Sequence, residues 1–379
     1  MLVEVQLLRA VAALMVLALH LSQHLALHLG FGSPVLHGGA AGVDLFFVIS
    51  GFIMVWSCRH DFGRPGVRPK FVRRRLIRIV PLYWLMTAVF LAALLTLRAI
   101  RPEAVRFNFD PHRIIAPFLF VPWPDAAGAH NPAFSPGWTL NHEMFFYAVF
   151  ALLLGLSLGR AVLALTLLFA AVVAIGQASD AWPFAVQVWS APLILEFVAG
   201  AWIALARIRG LTLVPALRVT LIASGVTALA AQGIAASWMS GPAAQWLTEP
   251  DVATRTILWG VPAALVIAGL TLGSGWTRRG IGTRAMVLLG DASYSIYLVH
   301  AFVIFGIRPV AVALRDMIAL SPVAYAAGLL LAALGASLAV HLLVERPLHR
   351  MLLARFTRPE RGVPATALAG SGAPATSGR

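Results

Sequence analysis

Arg9 and His20 are the first residues in the chain that point to chemistry. They lie 11 positions apart inside an apolar run, and at about 100° per residue a helix projects both from one face, about 16 Å apart along its axis. Lipid disfavours an ionisable side chain by a few kcal/mol or more, so such groups face a bundle interior or a water-filled cavity. The pair therefore reads as a cation and an imidazole lining a pore, or as a snorkelling arginine beside a hydrogen-bonded packing histidine. An unperturbed imidazole titrates near pH ~6.5 and is suited to take a proton from a hydroxyl. It works best beside a carboxylate that fixes its tautomer and stabilises the imidazolium. Two carboxylates are placed for this: Asp44 in Gly42-Val-Asp-Leu-Phe-Phe-Val-Ile-Ser-Gly51, and Glu143 in Trp138-Thr-Leu-Asn-His-Glu-Met-Phe-Phe-Tyr147. Each enters an apolar run from the side where His20 is expected. For each the alternative is a structural hydrogen bond between helices.

Arg75 and Arg78 are three apart, on one helical face. Guanidinium forks bind phosphate oxygens bidentately, so the pair suits a phosphorylated ligand, or else serves as positive charge that sets topology. Glu196 and His300 also fall within apolar runs and read as structural polar contacts. His20, His24 and His28 recur every four residues, but they drift about 40° per step around a helix and no ligand framework accompanies them, so no metal is expected. The lone Cys58 excludes an intrachain disulfide and reads as a packing residue.

The elements that must hold these groups follow from composition. The chain has 379 residues, 60% hydrophobic and 12% charged, with mean hydropathy +0.84, too few polar groups to cover a soluble surface. The net charge of +14 comes from arginines clustered between apolar runs rather than interleaved with aromatics, which argues against nucleic acid. The first apolar run is about 25 residues, longer than a signal-peptide core, and it carries Arg9 and His20, so it reads as a retained helix.

Scanning for about 20 apolar residues bounded by charge, Pro or Gly predicts an all-α bundle of about ten transmembrane spans with an internal pore. The spans lie near 5–29, 41–58, 79–97, 138–157, 161–177, 188–206, 213–231, 256–273, 291–307 and 322–344. Between the second and third, residues 59–78 hold seven arginines and Lys70 against the single Asp61, so this loop is expected in the cytoplasm with both termini. Arg160, Arg207, Arg209, Arg218, Arg278, Arg279 and Arg284 fall on the same side. The longest outer loop, about 98–137, carries Trp123, His130 and several prolines and forms the external lip. Residues 1–350 make the transmembrane domain, and residues 351–379 a cytoplasmic tail, Ala, Pro, Gly and Ser rich and mostly disordered.

Six segments, in this order and on these sides, resemble the acyltransferase 3 family of bacterial membrane O-acyltransferases. They are Arg9 with His20; Gly42 to Phe52; Phe71-Val-Arg-Arg-Arg-Leu-Ile-Arg-Ile-Val-Pro-Leu-Tyr83; Trp138-Thr-Leu-Asn-His-Glu143; Ser293-Tyr-Ser-Ile-Tyr-Leu-Val-His300; and Val344-Glu-Arg-Pro347. The resemblance covers the chain to about residue 350. It implies an enzyme of the bacterial inner membrane that takes an acyl group, usually acetyl, from cytoplasmic acyl-CoA to a hydroxyl of an extracytoplasmic or membrane-linked glycan. It also implies essential roles for Arg9 and His20, and donor handling by Arg75 and Arg78. The wording around Asn141-His-Glu143 is similar to the exopolysaccharide O-acetyltransferase branch. No fused extracytoplasmic esterase-like domain is evident, so a second transfer step would need a separate protein.

On this reading acyl-CoA docks with its phosphates on Arg75 and Arg78 and threads its pantetheine upward. His20 acts as base, oriented by Asp44 or Glu143. Arg9, about 16 Å below His20, is too far to donate to an oxyanion and suits the CoA chain or its phosphates. The rival reading is a proton-coupled transporter or flippase, since intramembrane Asp, Glu, His and Arg also build proton relays. Transporters often carry internal pseudo-repeats with paired broken helices, and none is visible here.

Overall fold

The computed structural model describes residues 2–29, 35–105, 107–179, 181–238, 251–273, 280–306 and 321–356. Every element among them is helical. They are α1 (Val3–Leu29), a 3₁₀ turn (His37–Ala40) leading into α2 (Ala41–Cys58), α3 (Val67–Ile100), α4 (Pro111–Leu119), α5 (Gly137–Leu153), α6 (Leu158–Gln177), α7 (Phe184–Trp189), α8 (Ile194–Ile208), α9 (Pro215–Trp238), α10 (Val252–Arg255), α11 (Val261–Thr271), α12 (Ile281–Asp291), α13 (Ser293–Ala301), α14 (Pro322–Val340) and α15 (Arg346–Phe356). Three π-helical turns interrupt them: Thr256–Gly260 before α11, Phe302–Gly306 after α13, and His341–Glu345 between α14 and α15.

Eight helical stretches are long and apolar enough to cross a bilayer, and the α12–α13 pair, bent by 63°, makes a ninth. Helix α5 has 17 residues, about 26 Å of helix and at the lower limit for a span. With it the bundle reaches the expected number of about ten.

Two boundaries differ from the sequence expectation. Helix α3 begins at Val67 rather than near residue 79 and runs for 34 residues, with Pro81 inside it. Arginine is a good helix former, so the charge that ends a hydropathy window does not end the helix. At about 51 Å it outreaches a ~30 Å hydrocarbon core, and Arg75 and Arg78 sit on its body rather than in a loop. At the other end, α15 continues to Phe356, so residues 351–356 are helical. Residues 357–379 lie outside the described residues, as do Arg278, Arg279 and the side chain of His28.

Helices α1, α2 and α8 form the centre. Most of α2 is buried, against α1 on one side and α8 on the other. The α2–α8 contact depends on Gly51 and Gly200. A Cβ on Gly51 would overlap the carbonyl of Phe197, and one on Gly200 the carbonyl of Val48, the close backbone approach that small residues permit between membrane helices. Outer helices turn bulky apolar residues outward, among them Leu167 of α6, Val219 of α9 and Leu331 of α14, as a surface solvated by lipid requires. Helix α15 packs on α3, and this pairing closes one end of the cavity described next.

Candidate active site

A cavity of about 660 Å³ opens at the arginine-rich end of the bundle and runs inward between α1, α2, α3, α5, α13 and α15. Its walls carry six arginines (Arg9, Arg74, Arg75, Arg78, Arg346 and Arg350) against two carboxylates, Glu143 and Asp291. Such an excess of positive charge in a cleft with low-dielectric walls concentrates anions.

Each arginine has a distinct setting. Arg9 donates to Gln6 Oε1 (3.3 Å) and to Ser293 Oγ (2.9 Å), which ties α1 to the start of α13. The Arg75 guanidinium lies over the rings of Phe71 (5.5 Å) and Tyr147 (6.0 Å), and its buried Nε has no hydrogen-bond partner. Arg78 Nη1 stands 2.7 Å from Glu345 Oε1, an ion pair not aligned as a hydrogen bond, since that oxygen is otherwise unsatisfied. The other carboxylate oxygen, Oε2, accepts from Ser295 Oγ and His341 Nδ1, both at 2.7 Å. Glu345 is only 3% exposed. It is thus a buried anchor for one face of Arg78, held by the π turn that ends α14.

Deeper in the cavity, Glu143 accepts hydrogen bonds from Ser50 (3.1 Å) and from Tyr147, one helical turn along α5. Thr139 and Tyr297 share a hydroxyl contact of 2.9 Å. The cavity ends at the level of Phe46, Thr139 and Tyr297. The Tyr297 ring is 6.2 Å from that of His300, whose ring is 4.9 Å from that of His20. The two histidines therefore lie one side chain beyond the closed end.

Of the residues singled out in the sequence, Arg9, Arg75, Arg78 and Glu143 share this cavity. His20 and Asp44 do not line it, and neither proposed carboxylate touches His20. Its side-chain partner is His300, with His20 Nδ1 and His300 Nε2 3.0 Å apart. The expectation that Asp44 or Glu143 orients His20 is corrected accordingly. Glu143 is committed to Ser50 and Tyr147. Asp44, fully buried, accepts a bidentate pair from Arg255, Nε to Oδ1 at 3.1 Å and Nη2 to Oδ2 at 2.9 Å. That guanidinium also stacks on Trp259 (4.6 Å) and Trp138 (5.6 Å). Glu196 is buried beside Asp44. An arginine brought in from α10 thus explains why a membrane helix tolerates Asp44. His300, read from the sequence as a structural contact, is the other correction.

The loop before α5 contributes His130. Its Nε2 lies 3.0 Å from Asn141 Nδ2, which donates to it. Desolvation, followed by the nearby His142, pushes the His130 imidazole down to about 4, so it is neutral at pH 7. His24 of α1 bonds Tyr325 instead of facing the cavity (3.0 Å). Among the described residues no cluster of three or more His, Cys, Asp or Glu is placed to hold a metal ion.

Several cavity residues escaped the sequence reading. Arg346 and Arg350 carry a legible signal, being four apart and so on one face of a helix, inside the Val344-Glu-Arg-Pro347 segment and its continuation. Tyr147 likewise follows Glu143 by four.

Residues 2–342 match the acyltransferase domain of the acyltransferase 3 family. The chain is 36% identical over 319 residues to the exopolysaccharide production protein ExoZ of Rhizobium meliloti (strain 1021), covering 84% of this chain and 92% of that one. It is 28% identical to the acyltransferase MdmB of Streptomyces mycarofaciens, covering 91% of each. A shorter match, 31% over 157 residues, is to protein 2 in the picA locus of Rhizobium radiobacter, covering 38% of this chain and 77% of that one. No solved structure matches the chain.

Proposed function

This chain belongs to the acyltransferase 3 family, and from that premise we propose that it transfers an acetyl group from cytoplasmic acetyl-CoA to a hydroxyl of an extracytoplasmic or membrane-linked glycan. The observation that carries the reading is the single cavity joining six arginines at its mouth to a hydroxyl- and carboxylate-lined end beside the His20–His300 pair. A donor that is polyanionic at one end and uncharged along its thioester arm matches that gradient. The similarity to an exopolysaccharide production protein supports a glycan acceptor, and the arginine-rich mouth supports entry of the donor from the cytoplasm.

In this mechanism the donor phosphates lie on Arg75, Arg346 and Arg350, with Arg78 held alongside by Glu345. The pantetheine arm passes Arg9, and the thioester stops near Tyr297. The acceptor hydroxyl arrives from the far side of the membrane. His20 takes its proton while the oxygen attacks the thioester carbonyl, the C–S bond breaks, and the departing thiolate recovers the proton as CoA-SH. The excess of arginine matters twice, in binding phosphate and in setting orientation.

Mass spectrometry of surface polysaccharide from cells with and without this protein tests the proposal. An ester-linked acetyl group should disappear with the protein and return with the intact gene. Unchanged ester content would refute a glycan acetyltransferase.

A further inference from the structure

An imidazole base needs a neighbour that decides which ring nitrogen carries the hydrogen. Around His20 the hydrogen bonds decide it. His300 Nδ1 is 2.9 Å from the carbonyl oxygen of Ile296. A carbonyl only accepts, so Nδ1 carries a hydrogen and, in the neutral ring, Nε2 carries the lone pair. His20 Nδ1 is 3.1 Å from the carbonyl oxygen of Val16, so it also carries a hydrogen. The two rings meet through His20 Nδ1 and His300 Nε2, 3.0 Å apart, a donor facing an acceptor. Two independent backbone contacts, one on each helix, thus require the same polarity. His20 Nδ1–H is shared between Val16 and His300, which leaves the His20 lone pair on Nε2.

His300 is itself firmly placed. It is 2% exposed, and α13 is fixed on successive turns by Arg9 to Ser293, Ser295 to Glu345 and the Tyr297–Thr139 contact. The carboxylates that could have done its work are committed elsewhere, Asp44 to Arg255 and Glu143 to Ser50 and Tyr147.

We propose that His300 is the positioning residue of the transfer reaction, a buried neutral imidazole that accepts from His20 Nδ1, holds His20 in the tautomer whose Nε2 is basic, and stabilises the imidazolium formed there. This rests on the acetyl-transfer reading above. The proton of the acceptor hydroxyl moves to His20 Nε2 as the oxygen attacks the thioester. With three bonds to hydrogen and carbon unchanged at Nδ1, the positive ring strengthens its bond to His300 as a charge-assisted donor. When the C–S bond breaks, the thiolate takes the proton from Nε2 and the pair returns to its starting state. His300 supplies the orientation a carboxylate gives in other base pairs, without adding a buried negative charge.

The test compares His300→Phe, which keeps a planar ring and removes the acceptor, with His300→Gln, whose amide oxygen can accept in place of Nε2. Inverted membrane vesicles from producing cells present the native acceptor, and [¹⁴C]acetyl-CoA supplies the donor. His300→Phe should lower the maximal rate about a hundredfold, within the range of acid–base contributions, with the KM for acetyl-CoA unchanged, and His300→Gln should restore most of the rate. In ¹⁵N-histidine spectra of the purified protein, assigned against His20→Gln, the parent should show His20 Nε2 unprotonated, and His300→Phe a mixture of tautomers. Equal losses in the two variants, a parent-like rate in His300→Phe, or a parent spectrum with Nε2 protonated would each overturn the assignment. A fully active His20→Ala would instead overturn the base mechanism beneath it. An inactive His20→Ala beside an active His300→Phe would remove His300 alone.

Discussion

Arg75 and Arg78 occupy one face of α3 and line one cavity mouth, yet the structure predicts unequal contributions to donor binding. Arg75 makes no ion pair among the described residues and its buried Nε lacks a partner. Arg78 is already balanced by Glu345 at 2.7 Å. A charge-assisted hydrogen bond to phosphate is worth about 1.5–3 kcal/mol, and the lower end applies at a mouth open to water and salt. Arg75→Gln should therefore weaken acetyl-CoA binding by about 1.5 kcal/mol, or about tenfold. For Arg78 the phosphate must compete with a carboxylate that stays in place, so about half that energy, roughly a threefold loss, is expected. Equilibrium binding of [¹⁴C]acetyl-CoA to the detergent-purified variants measures both. Acetyl-pantetheine, which lacks the nucleotide phosphates, is the control, and its binding should not change. If it weakens equally, the arginines act through the fold and not through phosphate. A larger loss for Arg78 than for Arg75 would refute the reasoning from Glu345, and no loss in the double variant would return both residues to a topological role.

Three further outcomes follow from the packing and the lip. Gly200→Leu forces side-chain atoms into the Val48 carbonyl and should lower the thermal midpoint in detergent sharply, by several kcal/mol of stability for an overpacked, unyielding contact; an unchanged midpoint would mean the α2–α8 approach is not tight. Asp44→Ala strands Arg255, whose side chain is 17% exposed, and should destabilise by about 3 kcal/mol, with Asp44→Asn milder because the amide oxygen still accepts; equal midpoints in Asp44→Ala and the parent would contradict a buried pair. His130 has a folded value depressed to about 4 against an ordinary value near ~6.5, so the unfolded chain binds the extra proton first. Its share of stability is complete above that ordinary value, declines as pH falls, and is fully lost below about 4. Denaturation midpoints followed across this window should slope less in His130→Phe than in the parent, and identical slopes would exclude His130 as the titrating group.

Helix existence was largely legible, because lipid demands long apolar runs and the arginine clusters bound them. Where helices end was less so. The Arg73–Arg75 run stops a hydropathy window but favours helix, so α3 starts twelve positions before the expected residue 79. The candidate site was half legible. Ionisable residues in apolar runs stand out singly, which located Arg9, His20, Asp44, Glu143 and His300. Their pairings did not, since the partner of His20 lies 280 positions away and that of Asp44 211. Spacing carries information about neighbours on one helix and none about which helix packs opposite. Proximity to the same expected depth therefore matched Asp44 with His20, whereas the fold gives Asp44 an arginine from α10. Arg346 and Arg350 were within reach of a spacing argument, as the i and i+4 pair on α15.

The π turn His341–Glu345 makes the register of the last helix unusually sensitive to chain length. A π turn accommodates one more residue than the α ladder on either side of it. Deleting a single residue there would let the backbone close into continuous α-helix at little local expense, while rotating everything beyond it by about 100° and drawing it in by about 1.5 Å. Glu345 would leave Ser295 and Arg78, and Arg346 and Arg350 would swing off the cavity wall together. Homologues that differ by one residue in this segment should accordingly differ in how they hold the donor, even where every arginine is retained, and an alignment that places its gap here would be reporting a change of mechanism-bearing geometry rather than loop drift.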